Sequence, residues 1–323
     1  MSKEAKSGSI TDIGGHRYLL LTATVMSYLV VTMGGLVCIT GSAMGCPDWP
    51  GCYGQIIPPM RIDSIIEYTH RFSAALAGPF VLASAVLGWR KHGRLPWVSR
   101  PPVAAIVFLM AVAVFGALAV LRGLSPGVAA VDLGSALITL ALMVIATVAA
   151  FSYQGRSIES ERPSFRSPLA RLALATSIAM FFMLVSGVLV AESGSIARCV
   201  GWPLFSREVA PVLPGGFATA RELISGVTGL LLVAVVIQAW RMRGNRSAIL
   251  PVAMAMGILF LTEMAVGALM AASGVNGFLM VTYVATAVAA WAIIIALVML
   301  AGFDSATFAE ERLEAAVPSE GAV

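Results

Sequence analysis

The chain has 323 residues, 59% of them hydrophobic and only 12% charged. That composition excludes a soluble globular domain and makes the lipid bilayer the solvent. The net charge of +4 calls for no nucleic acid, because lysine and arginine beside anionic lipid account for it.

Apolar runs long enough to cross a bilayer fall at roughly 18–41, 64–88, 102–121, 127–151, 168–191, 217–240, 248–272 and 277–302. They predict an all-α integral membrane protein of eight spans. The N-tail, 1–17, carries Lys3, Lys6 and Arg17 but no small-residue cleavage site, so the first run reads as a retained span. The first outer loop holds Cys46 and Cys52, with Pro47, Asp48, Trp49, Pro50 and Gly51 between them. On the oxidising side of a membrane this pair favours a disulfide that staples the loop. A redox role for it stays open.

The second span contains Glu67, Tyr68, Thr69, His70 and Arg71 in succession. Hydrocarbon makes each ionisable group costly unless it has a partner or a task. Glu67 precedes His70 by one helical turn, so the two share a face, with Ala74 and Gly78 continuing it. Small residues there let a neighbouring helix or a flat ligand approach the backbone. His16 and His92 fall in segments at the opposite end of the spans.

Asp132 is the ionisable residue of the fourth span. Glu192 closes the fifth, Arg221 and Glu222 open the sixth, and Glu263 sits near the middle of the seventh, where a hydrogen bond to a neighbouring helix is expected. Met254, Met256 and Met264 read as core filler. The C-tail after Phe303 is mildly acidic and reads as a frayed end. Lysine and arginine concentrate in the N-tail and alternate loops (Arg90, Lys91, Arg94, Arg100; Arg156, Arg162, Arg166; Arg241, Arg243, Arg246), against Arg61, Arg122, Arg198 and Arg207 in the others. The bias places both termini in the cytoplasm of a multi-pass plasma (inner) membrane protein.

An internal repeat organises the chain. Gly41, Ser42, Cys46, Trp49 and Pro50 recur at Gly194, Ser195, Cys199, Trp202 and Pro203, an offset of 153, while Phe205 stands where Cys52 would be matched. Gly116, Ala117, Leu118, Gly123 and Ala136 recur at an offset of 151. Two parallel four-helix halves, 18–151 and 168–302, joined by a linker at 152–167 and followed by the tail 303–323, are the economical explanation. The offset of 151 carries His70 to Arg221 and Asp132 to Tyr283, all at a depth of roughly 6 to 10 Å below an outer helix end. His70 with Asp132, and Arg221 with Tyr283, thus take the places of two axial ligands holding a porphyrin inside a bundle.

The loop Gly45-Cys46-Pro47-Asp48-Trp49-Pro50-Gly51-Cys52, the Glu67-x-x-His70-Arg71 element, the eight spans and the duplicated halves together resemble the heme A synthase family along essentially the whole chain. The resemblance implies an enzyme that oxidises a methyl group of heme O to the formyl of heme A for cytochrome oxidase. It implies two heme sites, one per half, each held by two histidines, with the glutamate near the substrate and the loop cysteines contributing to function. Of the four histidine positions only His70 holds histidine; Asp132, Arg221 and Tyr283 occupy the others.

The expected assignments follow. His70 binds heme iron (heme b or heme O), Glu67 and Asp132 serve the chemistry, and Arg71 binds a propionate or carboxylate. Glu67 paired with Arg71 is the structural alternative. Tyr283 as phenolate is a ligand for ferric iron, and Arg221 paired with Glu222 would replace a lost heme site. Partners implied are heme O as substrate, heme O synthase or cytochrome oxidase, membrane lipid and a second copy of the chain. The rival is a non-catalytic heme-binding or assembly protein, or an accessory subunit of a respiratory complex, on the same scaffold. A transporter built on a parallel repeat is a third class.

Overall fold

The computed structural model describes residues 13–123, 125–153, 163–190, 216–242, 248–274 and 276–316. Glu192 and the second outer loop, with Cys199, lie outside the described residues. Eight helices in them are long and apolar enough to cross a membrane: α1 Gly14–Ile39, α2 Ile62–Lys91, α3 Pro96–Arg122, α4 Pro126–Ser152, α5 Pro168–Val190, α6 Gly216–Arg241, α7 Ile249–Ser273 and α8 Gly277–Ala316. The chain is a multi-pass, all-helical membrane protein.

Two boundaries differ from the sequence reading. α3 starts at Pro96, whose fixed φ and missing N–H are tolerated in a first turn, and runs on through Pro101 and Pro102 inside the helix, where the carbonyls of Trp97 and Val98 lose their intrahelical donors. α8 continues past Phe303 to Ala316. The stretch after Phe303 is mostly alanine, glutamate and other good helix formers, so a helix already nucleated in the membrane propagates through it. His16, assigned to the tail, belongs to the first turn of α1.

Helices α1 to α4 pack in a ring in which each touches the next and α4 closes on α1; α5 to α8 do likewise. α8 also packs on α1 and α4, and α4 on α5, so α4 and α8 are the most buried spans and α3 the least. Directional bonds tie this seam. Trp291 Nε1 donates to the Leu137 carbonyl at 2.9 Å and Tyr28 Oη to the Ala285 carbonyl at 3.1 Å, while inside the first ring the hydroxyls of Thr24 on α1 and Thr147 on α4 meet at 2.7 Å. In hydrocarbon such bonds and close backbone approach replace the hydrophobic effect as glue. Adjacent glycines open α1 to two neighbours: Gly35 lies against Val284 of α8, and Gly34 against His70 of α2.

α4 starts cleanly, with the Ser125 hydroxyl accepting the Val128 amide at 3.3 Å and Pro126 in the first turn. That start fixes the height of Asp132 in the ring. At the far end of the first half the His16 and His92 rings stack with centroids 4.9 Å apart, and His16 Nε2 donates to the Ser84 carbonyl at 3.1 Å. Both rings are buried, so they serve packing between α1 and α2 at the end remote from His70.

Candidate functional site

The first outer loop is built onto the start of α2. Cys46 and Cys52 are joined by a disulfide, and Cys38 at the end of α1 is disulfide-bonded as well. Within the ring, the Asp48 carboxylate accepts the amides of Tyr53 and Gly54, each at 2.6 Å. Those amides, Gly54's first, hold the Asp48 carboxyl below the ordinary carboxylate range. Gly45 presses against the backbone of Asp63 and Ser64, where a Cβ would collide at 2.5 to 2.8 Å, and the Ser64 hydroxyl donates to its carbonyl at 2.6 Å.

Glu67 and Arg71, one helical turn apart, lock the loop down. The buried Glu67 carboxylate accepts the Cys46 amide at 2.8 Å and is ion-paired with Arg71. Arg71 Nη1 donates to the Asp48 and Gly51 carbonyls at 2.5 and 2.7 Å, and Nη2 to the Cys46 carbonyl at 3.1 Å. The structural alternative for Glu67 is therefore realised, and much of the guanidinium is committed to the loop.

His70 turns to α1. Its ring lies on Gly34, where an added Cβ would come within 3.1 Å of Cε1. The ring is on the side of Val30 of α1, and its Nδ1 is buried with no partner. Asp132 on α4 leans toward Gly116 of α3, 3.8 Å from where a Cβ there would stand, and its Oδ1 is likewise buried without a partner. α2 and α4 are on opposite sides of the ring, and the two side chains lie against α1 and α3 between them.

Around them α1 buries Val31 and Gly35, while the other three helices of the ring bury less. No residue is buried at 68–76 of α2, 106–122 of α3 or 126–133 of α4, whereas Ala77, Val81 and Ser84, Ala105, and Gly134 and Ser135 just beyond are buried. In those stretches of α2 and α4, His70 Nδ1 and Asp132 Oδ1 are the orphaned polar atoms. Buried polar atoms are almost always paired, so these two residues supply the donor set of a ligand site.

The second half differs at the corresponding positions. Arg221 and Tyr283 are each 4% exposed, and Tyr283 is the neighbour that interacts with the Arg221 guanidinium. Arg221 Nε has no partner. Glu222 is exposed, because neighbouring helical positions point about 100° apart; the expected Arg221–Glu222 pair is replaced by Arg221 with Tyr283. Guanidinium has no lone pair to offer a metal. The cavity between the helices of this half, lined by Met180, Met183, Met256, Phe260 and Glu263, has a volume of about 10 Å³, room for about one water molecule. These residues do not fit a porphyrin.

Glu263 makes the expected interhelical bond, accepting the Thr286 hydroxyl of α8. Met256 is core, but Met254 is 45% exposed and faces outward. The sequence reading missed Gly34, the cradle of His70; the signal was the Gly34-Gly35 pair inside an apolar run.

Comparison with known proteins adds the family. A model described as cytochrome oxidase assembly protein matches residues 17–65 and 60–224. The heme A synthase of Bacillus licheniformis is 33% identical over 218 residues, 67% of this chain and 72% of that protein. The heme A synthase of Staphylococcus aureus strain Newman is 32% identical over 197 residues, 60% of this chain and 65% of that protein. The family match ends inside α6, short of the full-length resemblance read from the sequence, so α7 and α8 lie beyond it.

Proposed function

This chain belongs to the heme A synthase family of cytochrome oxidase assembly proteins, and from that premise we propose that it is a heme A synthase-type membrane oxidoreductase working through its first half. Its substrate is heme O, and the product is heme A for cytochrome oxidase. The observation that carries the reading is that His70 Nδ1 on α2 and Asp132 Oδ1 on α4 are buried in one four-helix ring without a hydrogen-bond partner. A bound heme supplies the iron chemistry that oxidises the methyl group; the remaining roles are the chain's own.

His70 would hold the heme iron, and its seat on Gly34 of α1 fixes the ring's direction. Asp132, on α4, is the proton-handling group. Glu67 is held one turn from His70 by the Cys46 amide and Arg71. Its role is positional and electrostatic at the mouth of the site. Both termini are cytoplasmic in this reading, which puts the disulfide loop and the heme site toward the outer face.

The test is spectroscopic. Protein purified from heme-replete cells should show a Soret band that His70→Ala abolishes, and co-expression with a heme O synthase should yield heme A or its alcohol intermediate in extracted pigment. Colourless wild-type protein refutes the reading.

One observation favours a second reading, a heme-binding assembly protein without turnover: the second half is closed by Arg221 and Tyr283. A Soret band dependent on His70, with heme O unchanged in the extract, would decide for it.

A further inference from the structure

The ring closed by Cys46 and Cys52 presents its backbone inward. The carbonyls of Cys46, Asp48 and Gly51 converge on the Arg71 guanidinium, and the same guanidinium pairs with Glu67. Cys46 is gripped twice, its amide by Glu67 and its carbonyl by Arg71. Three carbonyls from one short segment point at a single cation only while the segment is bent back on itself, and the disulfide is the covalent tie that bends it. A planar guanidinium with a rigid fork of donors suits this array; a lysine ammonium does not span it. Removal of Arg71 would leave Glu67 as a buried carboxylate without its counter-charge, an unfavourable state in a low-dielectric site.

We propose that Arg71 is a positioning residue: the closed disulfide ring is the receptor for its guanidinium, the guanidinium fixes the Glu67 carboxylate, and opening the ring is felt in the turn of α2 that carries His70. The link to His70 rests on the heme reading above; the unit of ring, Arg71 and Glu67 does not.

Two readouts on the full chain in lipid nanodiscs separate these layers. The first is hydrogen exchange at the residue-46 amide in wild type, Arg71→Ala, Arg71→Lys, a Cys46→Ser/Cys52→Ser double variant, and the double variant combined with Arg71→Ala. Removing Arg71 or opening the ring should each speed that amide by about tenfold or more, the scale of losing a charged hydrogen bond, with Arg71→Lys intermediate and the interior of α2 unchanged. The combined variant should be no faster than either parent, because coupled residues are non-additive. The second readout is the Soret maximum of heme-loaded protein, which should move equally in Arg71→Ala and in the opened ring and no further in the combination.

Wild-type protection of the residue-46 amide in Arg71→Ala, or additive acceleration in the combined variant, overturns the proposal while leaving any His70-dependent Soret band intact. Coupled exchange in protein that never binds heme upholds the clamp and sinks the heme reading. If Arg71→Ala does not fold, Arg71→Lys with the opened ring supplies the same test of additivity.

Discussion

The two four-helix rings handle buried polarity in opposite ways. At the level of His70 and Asp132 the first ring leaves two polar atoms without partners. At the matched level the second buries Arg221, Ser225 and Thr228 on α6, Val266 and Met270 on α7, and Leu279 and Tyr283 on α8. It answers charge with its own side chains, Tyr283 beside Arg221 and Thr286 on Glu263. An unpaired buried polar group costs about 1 to 3 kcal/mol, so the first ring retains a destabilising arrangement that a ligand would relieve. Among the described residues at the matched level of the second, Arg221 Nε is the orphan, and a guanidinium offers a metal no lone pair. A site announces itself by what the protein leaves unsatisfied.

The largest expected effect is the contrast between His70→Ala and Arg221→Ala. The first should abolish bound heme in the purified protein and the second should leave the heme-to-protein ratio unchanged; an equal loss in both would make the halves equivalent and break the comparison. Next is the cradle. Gly34→Val places a branched side chain where His70 now lies and should lower heme occupancy by about tenfold, equivalent to about 1.4 kcal/mol of displaced contact. Gly78→Ala, with nothing within 4 Å, should leave occupancy at the wild-type level.

In the second half, Thr286→Val takes a hydrogen-bond donor from the buried carboxylate of Glu263. It should destabilise the protein by about 1 to 3 kcal/mol, read as a lower melting temperature with heme content unchanged. A change in the Soret band would show that the closed half still communicates with the open one.

The smallest effect concerns the loop. Asp48's carboxyl is held below its ordinary value by the Gly54 and Tyr53 amides, so its contribution is present above the unfolded-state pKa of about 3.9. It fades as pH falls through the lower folded value. Protection factors of the Tyr53 and Gly54 amides should therefore drop below about pH 4, and Asp48→Asn should flatten that dependence.

Much of this is legible in the residues alone. Span count, the disulfide and the need of Glu67 and His70 for a partner or a task follow from apolar run length, cysteine placement and the cost of charge in hydrocarbon, all local properties. The partner of Arg221 is not legible, since Glu222 is adjacent in sequence but points away, and Tyr283 is distant in sequence but near in space. Nor is the destination of Arg71, whose donors go to backbone carbonyls that sequence does not distinguish from any others. The continuation of α8 to Ala316 escapes any reading that weighs acidic composition above helix propensity.

The sequence by itself determined that this protein lives in a membrane as eight helices, and which few ionisable residues had to be accounted for there, because the bilayer tolerates no other backbone and few charges. Only the tertiary structure decided which of those residues satisfy one another and which stand open, because that depends on how helices far apart in the chain are rotated and packed against each other.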